Sequence, residues 1–207
     1  MVKTNSIVGV LLAGGLARRM GGGDKSLRPL AGTPILDHVL TRVRPQVGPL
    51  LLNVNGDPER FEQFGLPMAA DTITGHAGPL AGILTGMEWA AEYAPGCIWL
   101  ASFATDAPFL PNDLVARLDG AITAEGGEIA CAASNGRSHP VFALWSVALR
   151  AALRQALVDE DIRKIDAWTA RYKVATVEFS TTPYDPFFNA NRPEDFAEAE
   201  RLVVEIS

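Results

Sequence analysis

The apolar residues of the chain fall into two alternating rhythms. Ile7 to Leu12 is a short run with no polar position, rich in Ile, Val and Leu, that stops at Gly14-Gly15. Such a run predicts a strand covered on both faces, as in a parallel sheet. Behind Thr33-Pro34, the residues Leu36, Val39, Leu40 and Val43 recur at helical spacing. Thr33 therefore reads as an N-cap and Pro34 as the first helical residue. The rhythms then take turns. Leu50 to Val54 reads as a strand, Asp57-Pro58 opens a short helix, and Pro67 to Ala70 is a short strand running into Asp71. Pro79 opens a helix with Leu80, Ile83, Leu84, Met87 and Ala91 on one face, and Cys97 to Phe103 is a buried strand leading to Asp106. Pro111 opens a helix with Leu114, Val115, Leu118 and Ile122 inward. Strands follow near Ile129 to Ala133 and Val141 to Trp145. Helices come next, from Val147 to Leu157 and around Ile162 to Arg171, then a strand from Lys173 to Phe179 and a last helix from Pro193 to Val204.

Alternation of strand and helix through the first two thirds predicts an α/β fold, with a mostly parallel sheet and helices on both faces. Ligands of such sheets bind outside the carboxyl ends of the strands. The residues there are Gly14-Gly15, Asn53, Asp71, Asp106 and the segment Ser134 to His139.

Composition narrows the classes. A chain of 207 residues, 48% hydrophobic and 20% charged, suits one domain over residues 1–207 with one sizeable core. The net charge of −6 repels nucleic-acid phosphates and anionic lipid, so neither is an expected partner. Basic residues nevertheless crowd into one early loop: Arg18, Arg19, Lys25 and Arg28. Cys97 and Cys131 lie outside any C-x-x-C pattern, which argues for buried thiols in a reducing cytoplasm rather than a zinc site or disulfide framework. Ile7 to Ala13 is too short to span a bilayer and lacks a signal-peptide pattern.

The loop from Gly14 to about Gly32 carries six glycines and most of the chemistry. Glycines let backbone N–H groups approach a phosphate closely, and Arg19 and Lys25 add charge-assisted contacts to a triphosphate. The loop is not a Walker A motif, because Asp24 rather than Gly precedes Lys25; nor does it open a helix directly, as a dinucleotide-binding turn does. A solvated surface loop would share this composition, but loops of this length inside a compact domain are usually functional. Asp106, followed by Ala107-Pro108, is placed to hold Mg²⁺, which takes one or two protein carboxylates plus phosphate oxygens; a turn-forming or helix-capping role stays open. The same holds for Asn53 and Asp71, which can pair with a base edge or ribose hydroxyls. His38, His76 and His139 show no metal spacing, and for His139, next to Pro140, both a pocket-lining and a structural role stay open.

Taken together, Leu12-Ala13-Gly14-Gly15, Arg19-Met20-Gly21, Asp24-Lys25, Asn53, Asp71, Gly78-Pro79-Leu80-Ala81-Gly82, Asp106-Ala107-Pro108, His139-Pro140 and Asn189-Ala190-Asn191-Arg192-Pro193-Glu194-Asp195 resemble the signature of molybdenum cofactor guanylyltransferases of the MobA type. The resemblance covers nearly the whole chain in order. It implies a Rossmann-like three-layer sandwich, and a reaction in which GTP and molybdenum-bound molybdopterin give the guanine dinucleotide cofactor and pyrophosphate. It further implies that Leu12, Ala13, Gly14 and Gly15 contact the nucleotide, that Arg19 and Lys25 act on its phosphates, and that Asn53 and Asp71 hold the base and ribose side. Asp106 would bind both nucleotide and Mg²⁺. Gly82, His139, Asn189 and Asn191 would line the molybdopterin site. Transient contact with proteins that supply molybdopterin and mature molybdoenzymes is also implied. Ala107 and Arg192 depart from the residues common in the family without removing a ligand.

The implied chemistry is in-line attack by a phosphate on the α-phosphate. That nucleophile is already anionic, which fits the lack of a His/Asp or Cys/His dyad near the loop. A CTP-dependent cytidylyltransferase, a sugar-phosphate nucleotidyltransferase and a non-catalytic nucleotide sensor on the same fold remain alternatives.

Overall fold

The computed structural model describes residues 4–13, 24–75, 78–189 and 193–206. Gly14, Gly15, Arg18, Arg19, His76 and Asn191 lie outside the described residues. In chain order the elements are β1 (Ile7–Leu12), β2 (Pro29–Leu30), β3 (Thr33–Pro34), α1 (Ile35–Val43), β4 (Leu50–Asn53), β5 (Met68–Ala69), α2 (Pro79–Tyr93), β6 (Trp99–Ala104), α3 (Leu114–Glu125), β7 (Ile129–Ser134), β8 (Arg137–Ser146), α4 (Arg150–Val158), α5 (Ile165–Thr169), β9 (Val174–Phe179) and α6 (Pro193–Ile206).

Seven strands form one sheet in the order β5-β4-β1-β6-β8-β7-β9. Only β8 runs antiparallel to its neighbours, pairing with β6 on one side and β7 on the other. The other pairs are parallel. Alternate residues of the central strand β1 feed two cores. Ile7 and Leu11 join a cluster with α1, α3 and α6, while Val8 and Val10 join one with α2, α4 and α5. The helices thus cover both faces, which explains why β1 carries no polar residue: each side chain leaving water contributes ~1.5–3 kcal/mol.

Local details differ from the sequence expectation for identifiable reasons. Thr33-Pro34 does not begin the helix; it pairs antiparallel with Pro29–Leu30, and α1 starts at Ile35. The stretch expected as open loop up to Gly32 therefore contains a 3-10 turn, Lys25–Leu27, and this hairpin. Pro111 precedes α3 rather than opening it, and the cap comes from far away. Gln46 Oε1 accepts from the Val115 N–H at 2.9 Å while its Nε2 donates to the carbonyls of Arg42 and Pro111, both at 2.8 Å. A buried amide thus satisfies an end that Asp113, the local cap position, leaves without a side-chain bond. Strand β8 starts at Arg137, so His139 and Pro140 lie within it, near a bulge opposite Cys131 and Ala132. Cys97 and Cys131 are buried and unbridged.

Candidate active site at the carboxyl edge of the sheet

The parallel register sets Leu12 of β1 beside Asn53 of β4 on one side and Ala104 of β6 on the other. Hydrogen bonds lace these ends together. The Ala13 N–H donates to the Asn53 carbonyl at 2.9 Å, and the Thr105 hydroxyl donates to the Leu12 carbonyl at 3.4 Å. Leu12, Ala13, Asn53 and Asp106 are therefore brought to one rim by strand pairing.

Asn53 is buried, and its amide donates to the Ala69 carbonyl at 3.2 Å and to Asp71 Oδ1 at 2.9 Å. Asn55 holds the other half of Asp71: its amide donates to Oδ2 at 2.8 Å, and its Oδ1 accepts the Asp71 N–H at 2.9 Å. The carboxylate of Asp71 is thereby fixed in orientation by two asparagines. Asn55 was not singled out in the sequence, although its place before Gly56 just beyond a strand is a turn signal. Gly82 lies in α2 directly under this pair. A Cβ there would stand 2.4 Å from Asn53 Oδ1 and 2.7 Å from Leu12 Cδ2. The structure thus places Gly82 beside Leu12 and Asn53.

Lys25 is carried in by its 3-10 turn, closed by Leu27 N–H to Asp24 and Arg28 N–H to Lys25 carbonyl bonds of 3.1 and 3.0 Å. Asp24 forms an ion pair with Arg60 at 2.5 Å, and the Arg28 guanidinium lies 4.5 Å over the Phe196 ring. These contacts tie the turn to the 3-10 segment Glu59–Phe64 on one side and to α6 on the other. Lys25 is close enough to Asp106 to act on its titration. Burial pushes the Asp106 carboxyl above its ordinary pKa, and the Lys25 ammonium and a backbone N–H partly offset this. A desolvated carboxylate that needs positive charge, beside an ammonium and open strand ends, suits a divalent cation that brings phosphate oxygens as its remaining ligands. Among the described residues there is no group of three or more acidic, His or Cys side chains that would hold a metal alone.

A second group lies along the same rim. The β7–β8 hairpin turns at Asn135-Gly136, both with positive φ, as a two-residue hairpin turn requires. It brings Ser134 within 2.7 Å of His139 Nε2, and Ser134 Oγ donates to Asp185 Oδ1 at 3.1 Å. The His139 ring packs on Phe187 with centroids 4.6 Å apart. Asn189 Oδ1 is buried without a hydrogen-bond partner among the described residues. The two groups meet through Phe109, three residues after Asp106, whose ring packs on Tyr184 at 5.5 Å and Phe188 at 6.5 Å. Ser134 as a bonded residue, Asp185 and Phe109 escaped the sequence reading, since nothing local marks a contact across 50 residues.

Comparison with known proteins agrees with this geometry. The MobA-like NTP transferase domain matches residues 9–174. The chain is 59% identical to a protein of a Bradyrhizobium species named molybdenum cofactor guanylyltransferase, over 96% of this chain and 94% of that one. It is 56% identical to a protein of the same name from Nitrobacter hamburgensis, over 94% and 93%. Among solved structures, molybdopterin-guanine dinucleotide biosynthesis protein A from Archaeoglobus fulgidus superposes with a TM-score of 0.71 at 22% identity, covering 96% of this chain and 99% of that one. That likeness bears on the fold.

Proposed function

The chain belongs to the MobA-like NTP transferase family, and from that premise we propose that it transfers GMP from GTP to molybdenum-bound molybdopterin, releasing pyrophosphate. The observation that carries this reading is the nearness of the Lys25 ammonium to the desolvated Asp106 at the rim formed by β1, β4 and β6. The names of relatives at 59% and 56% identity support the choice of substrates.

In this reading residues 1–207 act as one nucleotidyltransferase domain. Leu12, Ala13, Gly14 and Gly15 contact the nucleotide through their backbone, and Asn53 with Asp71 holds the base and ribose side. Arg19 and Lys25 offset charge on the transferred and leaving phosphates. Asp106 would hold Mg²⁺, which when bound orients and neutralises the triphosphate. The terminal phosphate of molybdopterin attacks the α-phosphate in line, and the bond to the pyrophosphate oxygen breaks. The attacking oxygen carries its own charge, so the side chains position and neutralise rather than remove a proton. His139, Asn189 and Asn191 would line the molybdopterin site. Gly82, expected to line the molybdopterin site, packs under Asn53 and would also support the nucleotide side.

The protein works in the cytoplasm, in transient contact with proteins that supply molybdopterin and accept the finished cofactor. Among the described residues no helix is long and apolar enough to cross a membrane. The test is pyrophosphate release with molybdenum-bound molybdopterin and Mg²⁺, GTP and CTP competing in one reaction. Guanine offers N1–H and N2–H₂ donors that cytosine lacks, so a site built on an Asp acceptor rejects CTP strongly. Preferential use of CTP would assign the protein to cytidylyl transfer. GTP binding without pyrophosphate release would make it a sensor.

A further inference from the structure

The hydrogen bonds around His139 fix more than its position. Asp185 Oδ1 accepts from the Phe187 N–H at 3.0 Å and from the Ser134 hydroxyl at 3.1 Å. A serine hydroxyl has one proton, so once it is given to Asp185 the serine oxygen can only accept from its remaining partner. That partner is His139 Nε2 at 2.7 Å, which must therefore carry the proton. The neutral ring is then the Nε2–H tautomer, with its lone pair on Nδ1. The ring cannot turn away, because it packs on Phe187, which is itself held by Phe142 at 5.0 Å and, edge-on, by Phe179 at 5.4 Å. Nδ1 makes no hydrogen bond to any described residue. Two residues beyond Phe187, the buried Asn189 Oδ1 is a second acceptor with no described partner.

We infer that Ser134 and Asp185 are positioning residues that hold His139 as the Nε2–H tautomer, so that Nδ1 accepts a hydrogen bond from an N–H donor of the pterin substrate. This rests on the reading of the acceptor as molybdopterin, whose pterin carries ring and amino N–H donors. An imidazolium would present a donor at Nδ1 and oppose such a donor. The surroundings favour the neutral ring: burial lowers its pKa, helped by Arg137 on β8 and opposed by Asp185 from the loop after β9 and Glu178 on β9.

Two measurements on the full-length protein test this. Nitrogen-15 NMR of the ligand-free protein at pH 7.5, with the signal assigned by its loss in His139→Gln, should show Nε2 protonated and Nδ1 bare; the chain has only three histidines. The opposite tautomer, or an imidazolium, overturns the inference whatever the substrate proves to be. In steady-state kinetics Ser134→Ala should raise KM for molybdopterin about 10-fold, the worth of one good hydrogen bond. KM for GTP should stay unchanged, and Ser134→Thr should restore the wild-type value. In the wild type KM for molybdopterin should rise as pH falls below the ordinary histidine pKa of ~6.5, and His139→Gln should abolish that rise. Equal changes in both KM values, or none, refute the positioning role. Failure of molybdopterin to release pyrophosphate from GTP at all would instead sink the functional reading and leave the tautomer result standing.

Discussion

Gly82→Ala adds one methyl group at the point where α2 crosses β1 and β4, and two effects of opposite sign compete. Alanine is the better helix former, by up to ~1 kcal/mol. Against this, the new Cβ would lie 2.4 Å from Asn53 Oδ1, 3.1 Å from its Cγ and 2.7 Å from Leu12 Cδ2. Side-chain ends usually yield to such contacts, but Asn53 is 2% exposed and its amide is committed to Ala69 and Asp71. Leu12 ends the strand that carries the rim. Overpacking of this kind costs ~1–3 kcal/mol, so after the full helix gain a net loss of up to ~2 kcal/mol remains, or a Tm lower by up to about 8 °C for a chain of this size. Gly120→Ala supplies the control. It is the same substitution inside α3, where nothing lies within 4 Å of the added Cβ, so only the helix gain of up to ~1 kcal/mol operates and Tm should rise by up to about 4 °C. Thermal melts of the two variants, with GTP affinity measured by titration, separate the effects. Gly82→Ala should also weaken GTP binding, because displacing Asn53 releases Asp71. An unchanged Tm and unchanged GTP affinity for Gly82→Ala would refute the steric argument and the link from Gly82 to the nucleotide side.

Asp106→Asn should lose turnover by orders of magnitude yet unfold at the same or a higher temperature at pH 7. The folded pKa is raised by burial, so the charge opposes folding, and stability falls as pH rises from the ordinary aspartate pKa through the higher folded one; wild-type turnover or a clearly lower Tm would contradict this. Lys25→Ala should lower kcat as well as weaken GTP binding, because an interaction that strengthens in the transition state shows in both; a change in KM alone would reduce Lys25 to a ground-state cradle. Ser102→Ala should lower Tm by about 2–12 °C, the equivalent of ~1–3 kcal/mol, by orphaning a buried donor. Ser102 accepts the Trp145 Nε1–H at 2.8 Å and donates to the Val141 carbonyl at 2.6 Å, and an unaltered melting curve would show that another acceptor takes over.

The strands of this fold are legible because parallel strands covered on both faces must be apolar throughout, and their ends are legible because the polar residues Asn53, Asp71 and Asp106 break those runs. The hairpin before α1 is hidden because its turn is Ala31-Gly32, both at positive φ, where Asn-Gly would have announced it. The cap on α3 is hidden because Gln46 reaches it from 69 residues away. Asn55, Ser134 and Asp185 are hidden for the same reason: each is an ordinary turn or strand residue until the fold brings its partner within 3.1 Å. Periodicity reports which face a residue takes. It says nothing about which polar atoms meet across the sheet.

That distinction also explains how the two halves of the rim are built. On the proposed nucleotide side the key residues end parallel strands, so the sheet's own ladder sets their spacing, and one clamp of asparagines suffices to aim Asp71. On the proposed acceptor side Ser134 and His139 stand on the paired strands β7 and β8, whereas Asp185 and Phe187 stand on the loop after β9, outside the ladder. Rings do that work instead: Phe187 against His139, Phe142 and Phe179, and Tyr184 and Phe188 against Phe109. Phe109 is buried and follows Asp106 by three residues, so the loop that carries the carboxylate is the surface on which the acceptor side packs. The two substrates of a group transfer must meet at one phosphorus atom, and in the proposed reading the contacts of Phe109 with Tyr184 and Phe188 set the distance between the two sides.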